Sequence, residues 1–93
     1  MSYDYQNIIK ACIEPLVDNP EALLIRLLDS EQELETSRDI HFLIACPSNM
    51  LGKLIGRHGS VADAIRTIVN VKARDERKRV HIKFEAFNED ESK

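Results

Sequence analysis

Residues 54–65 read Leu54-Ile55-Gly56-Arg57-His58-Gly59-Ser60-Val61-Ala62-Asp63-Ala64-Ile65, two glycines separated by two residues with apolar residues on either side. Upstream, Leu51, Leu54 and Ile55 fall on one face of a short helix that Ser48 is placed to cap and Gly56 to stop. Downstream, Ser60 is the predicted cap of a second helix. Its buried face is Val61, Ala62, Ile65, Ile68 and Val69, with Asp63, Arg66 and Thr67 elsewhere on the cylinder. Little more than the glycine turn joins the two helices. Lacking side chains, Gly56 and Gly59 permit a tight turn and let a polymer backbone approach the main chain. Amides at the start of the second helix add partial positive charge there. Arg57 and His58, held between the glycines, are predicted to face solvent and supply further donors. The chemistry this suits is a clamp on the phosphates of a nucleic-acid strand.

A Gly-x-x-Gly alone marks little beyond a turn, so its surroundings must carry the reading. No Gly-Lys-Ser or Gly-Lys-Thr follows a strand, which removes the nucleotide phosphate loop. The turn follows a helix and repeated strand-helix-strand units are missing, which removes a dinucleotide fingerprint.

Elsewhere the apolar period switches several times. Ile8, Ile9, Cys12, Ile13, Leu16 and Val17 share one helical face, with Ser2 or Asp4 as cap and Pro15 and Pro20 as terminators. Leu23 to Leu28 is a short aliphatic strand, and polar Asp29 to Ser37 reads as a connection between strands. Ile40, Phe42, Ile44 and Cys46 then alternate with Asp39, His41, Leu43 and Ala45 until Pro47. The second face of that strand is only partly polar, which predicts a central position in the sheet. Val80, Ile82 and Phe84 alternate with His81, Lys83 and Glu85, a third strand with one wet face. The order is helix, strand, strand, helix, helix, strand: an α+β chain with a three-stranded sheet packed against three helices. One domain is expected over residues 1–87, with residues 88–93 a disordered acidic tail.

The chain has 93 residues and a formal net charge of -3, too acidic for a polybasic coat on nucleic acid. Along the sequence, however, residues 1–46 sum to -6, residues 47–84 to +6 and residues 85–93 to -3. The local field steers a charged partner more than the total does. With five aromatic residues and no Trp, the core must be mostly aliphatic. No apolar run approaches the ~20 residues of a membrane span, and the N-terminus lacks secretory and transit features, so a cytoplasmic protein without membrane insertion is expected. Cys12 and Cys46 read as reduced core thiols. His41 and His81 lack ligand spacing to any cluster, so no metal and no cofactor are predicted. Nothing in the pattern resembles a nucleophile elbow or metalloprotease motif, and no enzyme is expected.

In this setting the sequence resembles the KH domain, whose signature is an Ile-Gly-x-x-Gly loop between two helices with an apolar residue six positions after the second glycine. Ile55-Gly56-Arg57-His58-Gly59 and Ile65 match every position. KH modules clamp about four nucleotides of single-stranded nucleic acid through this loop. The element order is similar to the bacterial type II KH fold, and a chain of this size resembles the KhpA family of stand-alone KH proteins over about Tyr5 to Phe84. Leu16-Val17-Asp18-Asn19-Pro20-Glu21 and Ala64-Ile65-Arg66-Thr67-Ile68 are further family-like features. The resemblance implies an RNA-binding protein, an RNA chaperone or post-transcriptional regulator, acting with a KhpB (Jag)-type KH protein and linked to cell-wall homeostasis and control of cell length. His58 departs from relatives that often carry Lys or Gln there.

The expected RNA-binding residues are Gly56, Arg57, His58 and Gly59 as the clamp, with Ser60 and the helix-start amides assisting. Lys53 lies one turn from Arg57 on the preceding helix. Ile55 and Ile65 support a hydrophobic groove floor, and Ile44 is a weaker candidate to touch bases. Arg66 either contacts the strand's backbone or is simply solvated. The run Lys72 to Arg79 reads first as a solvated helix end compensating the macrodipole, with RNA contact the alternative. A single clamp of about four nucleotides implies a log-log salt slope no steeper than about -3. Weak binding by one copy favours a homodimer or pairing with the partner KH protein. The rival reading is a protein-interaction adaptor whose partner makes the main RNA contacts.

Overall fold

The computed structural model describes residues 2–87, with residues 2–4 described by backbone alone. The expected acidic tail at residues 88–93, and the cap expected from Ser2 or Asp4, lie outside what is described. The elements are α1 (Ser2–Ile13), β1 (Leu24–Leu27), α2 (Glu31–Thr36), β2 (Asp39–Cys46), α3 (Ser48–Ile55), α4 (Ser60–Asp75) and β3 (Arg79–Ala86), with 3₁₀ turns at Glu14–Leu16, Pro20–Ala22 and Arg57–Gly59.

Strand order is β1-β2-β3, so β2 is central, as its two-sided apolar pattern requires. β1 runs antiparallel to β2 with Leu24 opposite Ala45 and Leu27 opposite Phe42. β2 runs parallel to β3 with Asp39 opposite Arg79 and Cys46 opposite Ala86. Parallel neighbours need a long crossover, and α3, the glycine turn and α4 provide it. The fold is the α+β arrangement expected from the sequence, with α1, α3 and α4 covering the sheet.

The core lies between one sheet face and those helices. Ile40, Phe42, Ile44 and Cys46 of β2 and Val80 and Ile82 of β3 meet Tyr5, Ile9 and Ile13 of α1, Leu54 of α3, and Ile65, Val69 and Ala73 of α4, all buried. Each such Val, Leu, Ile or Phe side chain gives roughly 1.5–3 kcal/mol on burial. Cys46 is fully buried and Cys12 half-buried, both unpaired, and burial pushes both thiols up. Ile44, 0% exposed, is core and presents no surface for a base. Ile68 departs from the expected buried face: it is 51% exposed, because α4 rests on the sheet through the Ala62, Ile65, Val69 and Ala73 stripe.

Three local features differ from the sequence expectation. The polar link Asp29 to Ser37 contains the six-residue helix α2. Ser30 caps it, accepting from the Glu33 N–H at 3.2 Å while the Glu33 carboxylate accepts from the Ser30 N–H at 2.8 Å. This reciprocal capping box stabilises a helix too short to show an apolar period. Lys78 then donates to the Leu34 and Ser37 carbonyls at 3.0 and 2.9 Å, placing a cation on the C-terminal end of α2. The caps of α3 and α4 are Pro47 and Gly59, and Ser48 and Ser60 are instead the first helical residues. Backbone geometry explains the last shift, since Gly59 adopts the left-handed conformation (φ 76°) that immediately precedes α4.

On the open sheet face, His41 and His81 are cross-strand neighbours whose rings stack 4.9 Å apart. His41 Nδ1 lies 3.1 Å from Asp29 Oδ2, and His81 Nε2 lies 2.9 Å from Asp39 Oδ1. The hydrogen bond from His81 is the main reason the Asp39 carboxyl is held below its ordinary value. No helix among the described residues is long and apolar enough to cross a membrane. No group of three or more His, Cys, Asp or Glu among them is placed to hold a metal.

Candidate nucleic-acid interface

α3 ends where Gly56 turns to φ 76°, its N–H still bonded to the Gly52 carbonyl at 2.9 Å. Three residues then close a 3₁₀ turn in which His58 (φ 56°) and Gly59 (φ 76°) are also left-handed, and the Gly59 N–H returns to the Gly56 carbonyl at 3.2 Å. Positive φ costs least for glycine, and His is among the few other residues enriched there.

The two glycines serve different needs. A Cβ on Gly56 would lie 2.8 Å from the Val61 backbone nitrogen and press into the Val61 side chain. Gly56 is therefore glycine because α4 packs directly against it. A Cβ on Gly59 would meet nothing within 4 Å. Its absence leaves open main chain at the start of α4, where a strand can approach.

Arg57 and His58 are exposed, and neither forms an ion pair or side-chain hydrogen bond among the described residues. No side chain caps α4, so its first-turn amides and the positive end of its dipole remain available to an anion. Ile55 is half-buried beside the turn and Ser60 is exposed at its exit. The structure thus brings Ile55, Gly56, Arg57, His58, Gly59 and Ser60 together.

Lys53, in the last turn of α3, and Arg66 each have an ionic partner of their own. Lys53 faces a groove of about 560 Å³ along α3, with its Nζ 3.8 Å from Asp18 Oδ2. Asn19, Ser48 and Asn49 also line this groove, and they are polar groups that the helical pattern alone does not single out. Of these, Asn19 belongs to the Leu16 to Glu21 stretch, which the fold sets beside α3, whereas Ser48 and Asn49 come from the first turn of α3 itself. Arg66 reaches the edge of β3: its Nε and Nη2 donate to the Ile82 carbonyl at 3.2 and 3.1 Å, and its Nη1 donates to Asp63 Oδ1 at 3.0 Å. Its guanidinium also lies 5.4 Å from the Phe84 ring centroid.

A family model described as "KhpA/KhpB, KH domain" matches residues 6–84. Among curated relatives, the RNA-binding protein KhpA of Caldanaerobacter subterraneus subsp. tengcongensis is 37% identical over 77 residues, covering 83% of this chain and 95% of its own. The RNA-binding protein KhpA of Oceanobacillus iheyensis is 33% identical over 75 residues, covering 81% and 92%. That of Streptococcus pneumoniae is 36% identical over 64 residues, covering 69% and 73%. Among solved structures, Era in complex with MgGDPNP and nucleotides 1506–1542 of 16S ribosomal RNA aligns with a TM-score of 0.63 at 12% identity, over 88% of this chain and 29% of the Era chain. That likeness concerns the fold alone. With the family model spanning nearly all of the described chain and its glycine turn set between two packed helices, the protein belongs to the KhpA/KhpB KH-domain family.

Proposed function

We propose that this chain is a non-enzymatic RNA-binding protein that grips single-stranded RNA at the Gly56 to Gly59 turn. The observation that carries the reading is the uncapped start of α4, with exposed Arg57 and His58 beside the open main chain of Gly59. Phosphates would sit against the α4 amides and the two basic side chains, and bases would lie along the α3 groove that Lys53 and Asn49 line. Curated relatives named RNA-binding protein KhpA support the ligand class.

The cellular role follows the family resemblance: an RNA chaperone or post-transcriptional regulator in the cytoplasm, paired with a KhpB (Jag)-type protein and serving cell-wall homeostasis and cell length. Ile68 and Val71, 51% and 56% exposed three residues apart on α4, offer apolar surface that a second KH chain would cover, in a homodimer or with that partner. The adaptor reading differs in assigning the RNA contacts to the partner.

The test is a gel shift with single-stranded RNA on wild type and on an Arg57→Asp, His58→Asp double variant. Asp tolerates left-handed φ, so the turn should survive, as circular dichroism would check. Loss of RNA binding with retained fold is expected. Unchanged binding by the folded variant would show that the turn is not the clamp.

A further inference from the structure

We propose that this protein carries a second RNA-backbone contact surface at the opposite end of α4, built from Arg38, Arg74, Arg77 and Arg79. The proposal rests on the RNA-binding reading above and extends it to a site that the glycine turn does not include.

Four chain segments meet there. Arg38 immediately precedes β2, Arg74 lies in the last turn of α4, Arg77 occupies the connecting turn and Arg79 begins β3. They line a surface groove of about 410 Å³ whose charged side chains are five cations, Lys78 included, against the single carboxylate of Asp39. That carboxylate is engaged by His81 at 2.9 Å. An adjoining groove of about 590 Å³ between α4 and β3 shares Arg74, Lys78 and Arg79 and has no carboxylate in its lining.

Compensation of the α4 macrodipole accounts for Lys72 and Arg74 in its last turn. It does not account for Arg38, Arg77 and Arg79, which the tertiary fold brings in from outside the helix. Nor are these groups used internally: Arg38, Arg74, Arg77 and Arg79 are exposed and form no ion pair among the described residues. Lys78 and Arg66, by contrast, are spent on the α2 carbonyls and the Ile82 carbonyl. Asp75 and Glu76 are the nearest acids in sequence, and Glu76 is engaged by Tyr5 and Lys72.

Arg77 supplies a further sign. It adopts φ 60° in a turn that closes α4, with its N–H bonded to the Arg74 carbonyl at 3.0 Å and the Lys78 N–H to the Ala73 carbonyl at 2.8 Å. Glycine is the usual occupant of this helix-ending position. An arginine held there adds its charge to the cluster despite the backbone cost. Guanidinium groups match phosphate geometry with paired donors. α4 is 16 residues long, which at a rise of ~1.5 Å per residue puts about 24 Å between this surface and the glycine turn. A strand of about four nucleotides held at the turn cannot also fill the arginine surface, whereas a longer one can.

The experiment compares wild type with an Arg74→Gln, Arg77→Gly, Arg79→Gln triple variant of the full chain. Binding is titrated to a single-stranded RNA tetranucleotide and to a strand of about 16 nucleotides over a range of salt. The expected result is unchanged tetranucleotide binding, a loss of roughly tenfold or more on the longer strand near ~0.1 M salt, and a log-log salt slope shallower by about 2. The single Arg77→Gly variant should melt no lower than wild type, since glycine relieves the turn, while its slope on the longer strand becomes shallower by about 0.7. Wild-type behaviour of the triple variant on both probes, or equal loss on both, would overturn the proposal. Displacement of the longer strand by polyglutamate as effectively as by RNA of equal charge would also overturn it, naming an acidic protein segment as the occupant. The Arg57→Asp, His58→Asp variant judges the turn separately: its tetranucleotide binding fails or persists whatever the arginine surface does.

Discussion

Asn70 of α4 exchanges two hydrogen bonds with Val80 of β3: its Nδ2 donates to the Val80 carbonyl at 2.9 Å and its Oδ1 accepts from the Val80 N–H at 2.8 Å. β3 is an outer strand, and outer strands expose backbone groups that recruit other chains. The amide of Asn70 does there what one residue of a further strand would do. Two residues along, Arg66 satisfies the Ile82 carbonyl in the same way. The helix thus seals the sheet edge while packing on its face.

Asn70→Ala should remove both bonds and leave the buried Val80 backbone without partners, costing about 2 kcal/mol. Urea unfolding would measure it, and sedimentation should show concentration-dependent association through the opened edge. Asn70→Asp, which keeps the acceptor and loses the donor, should fall between wild type and alanine.

Gly56→Ala and Gly59→Ala should separate by stability although the two residues share φ 76°. Gly59→Ala meets the left-handed penalty of about 1–2 kcal/mol, and Gly56→Ala meets at least that, because φ 76° with ψ 176° is a region that essentially only glycine adopts. Only Gly56→Ala also drives a Cβ against Val61, adding an overpacking cost of roughly 1–3 kcal/mol. Chemical denaturation of the two variants checks this, and equal losses would contradict the packing assignment.

Asp39 provides an acid-side signature. Its carboxyl is held below its ordinary value of 3.8, first by the His81 hydrogen bond and then by the nearby charges of His81, Arg79 and His41. A depressed folded-state value means that the stabilisation is complete above the unfolded value and is lost as pH falls through the folded one. Asp39→Asn should therefore melt below wild type at neutral pH, with the gap closing as pH drops below about 3.8. A gap independent of pH would sink the assignment.

Much of this fold was legible along the chain because its signals are local. The alternation Ile40, Phe42, Ile44, Cys46 marks a buried strand face, and the apolar residues of β2's other face mark it as central. α2 was harder to read because six residues with one half-buried leucine, Leu34, carry no period. The available signal was the Ser30-x-x-Glu33 capping box. Ser60 resembles a cap by residue type, yet Gly59 holds the conformation that starts α4, since the chain must leave Gly56 tightly enough to pack Val61 against it.

Period, glycine and charge act over a few neighbouring residues, so the strands, the three main helices and the turn between Gly56 and Gly59 follow from local sequence. Where the long charged side chains are spent depends on the packed fold. Arg66, Lys53 and Lys78 are all cations of the basic second half, yet one seals a sheet edge, one faces a groove beside Asp18 and one closes α2. Arg38 joins Arg74, Arg77 and Arg79 from a distant part of the chain. A flexible charged side chain takes its role from whatever acceptor the packed backbone sets within reach, and that acceptor is fixed by the sheet register and by how α4 lies across it.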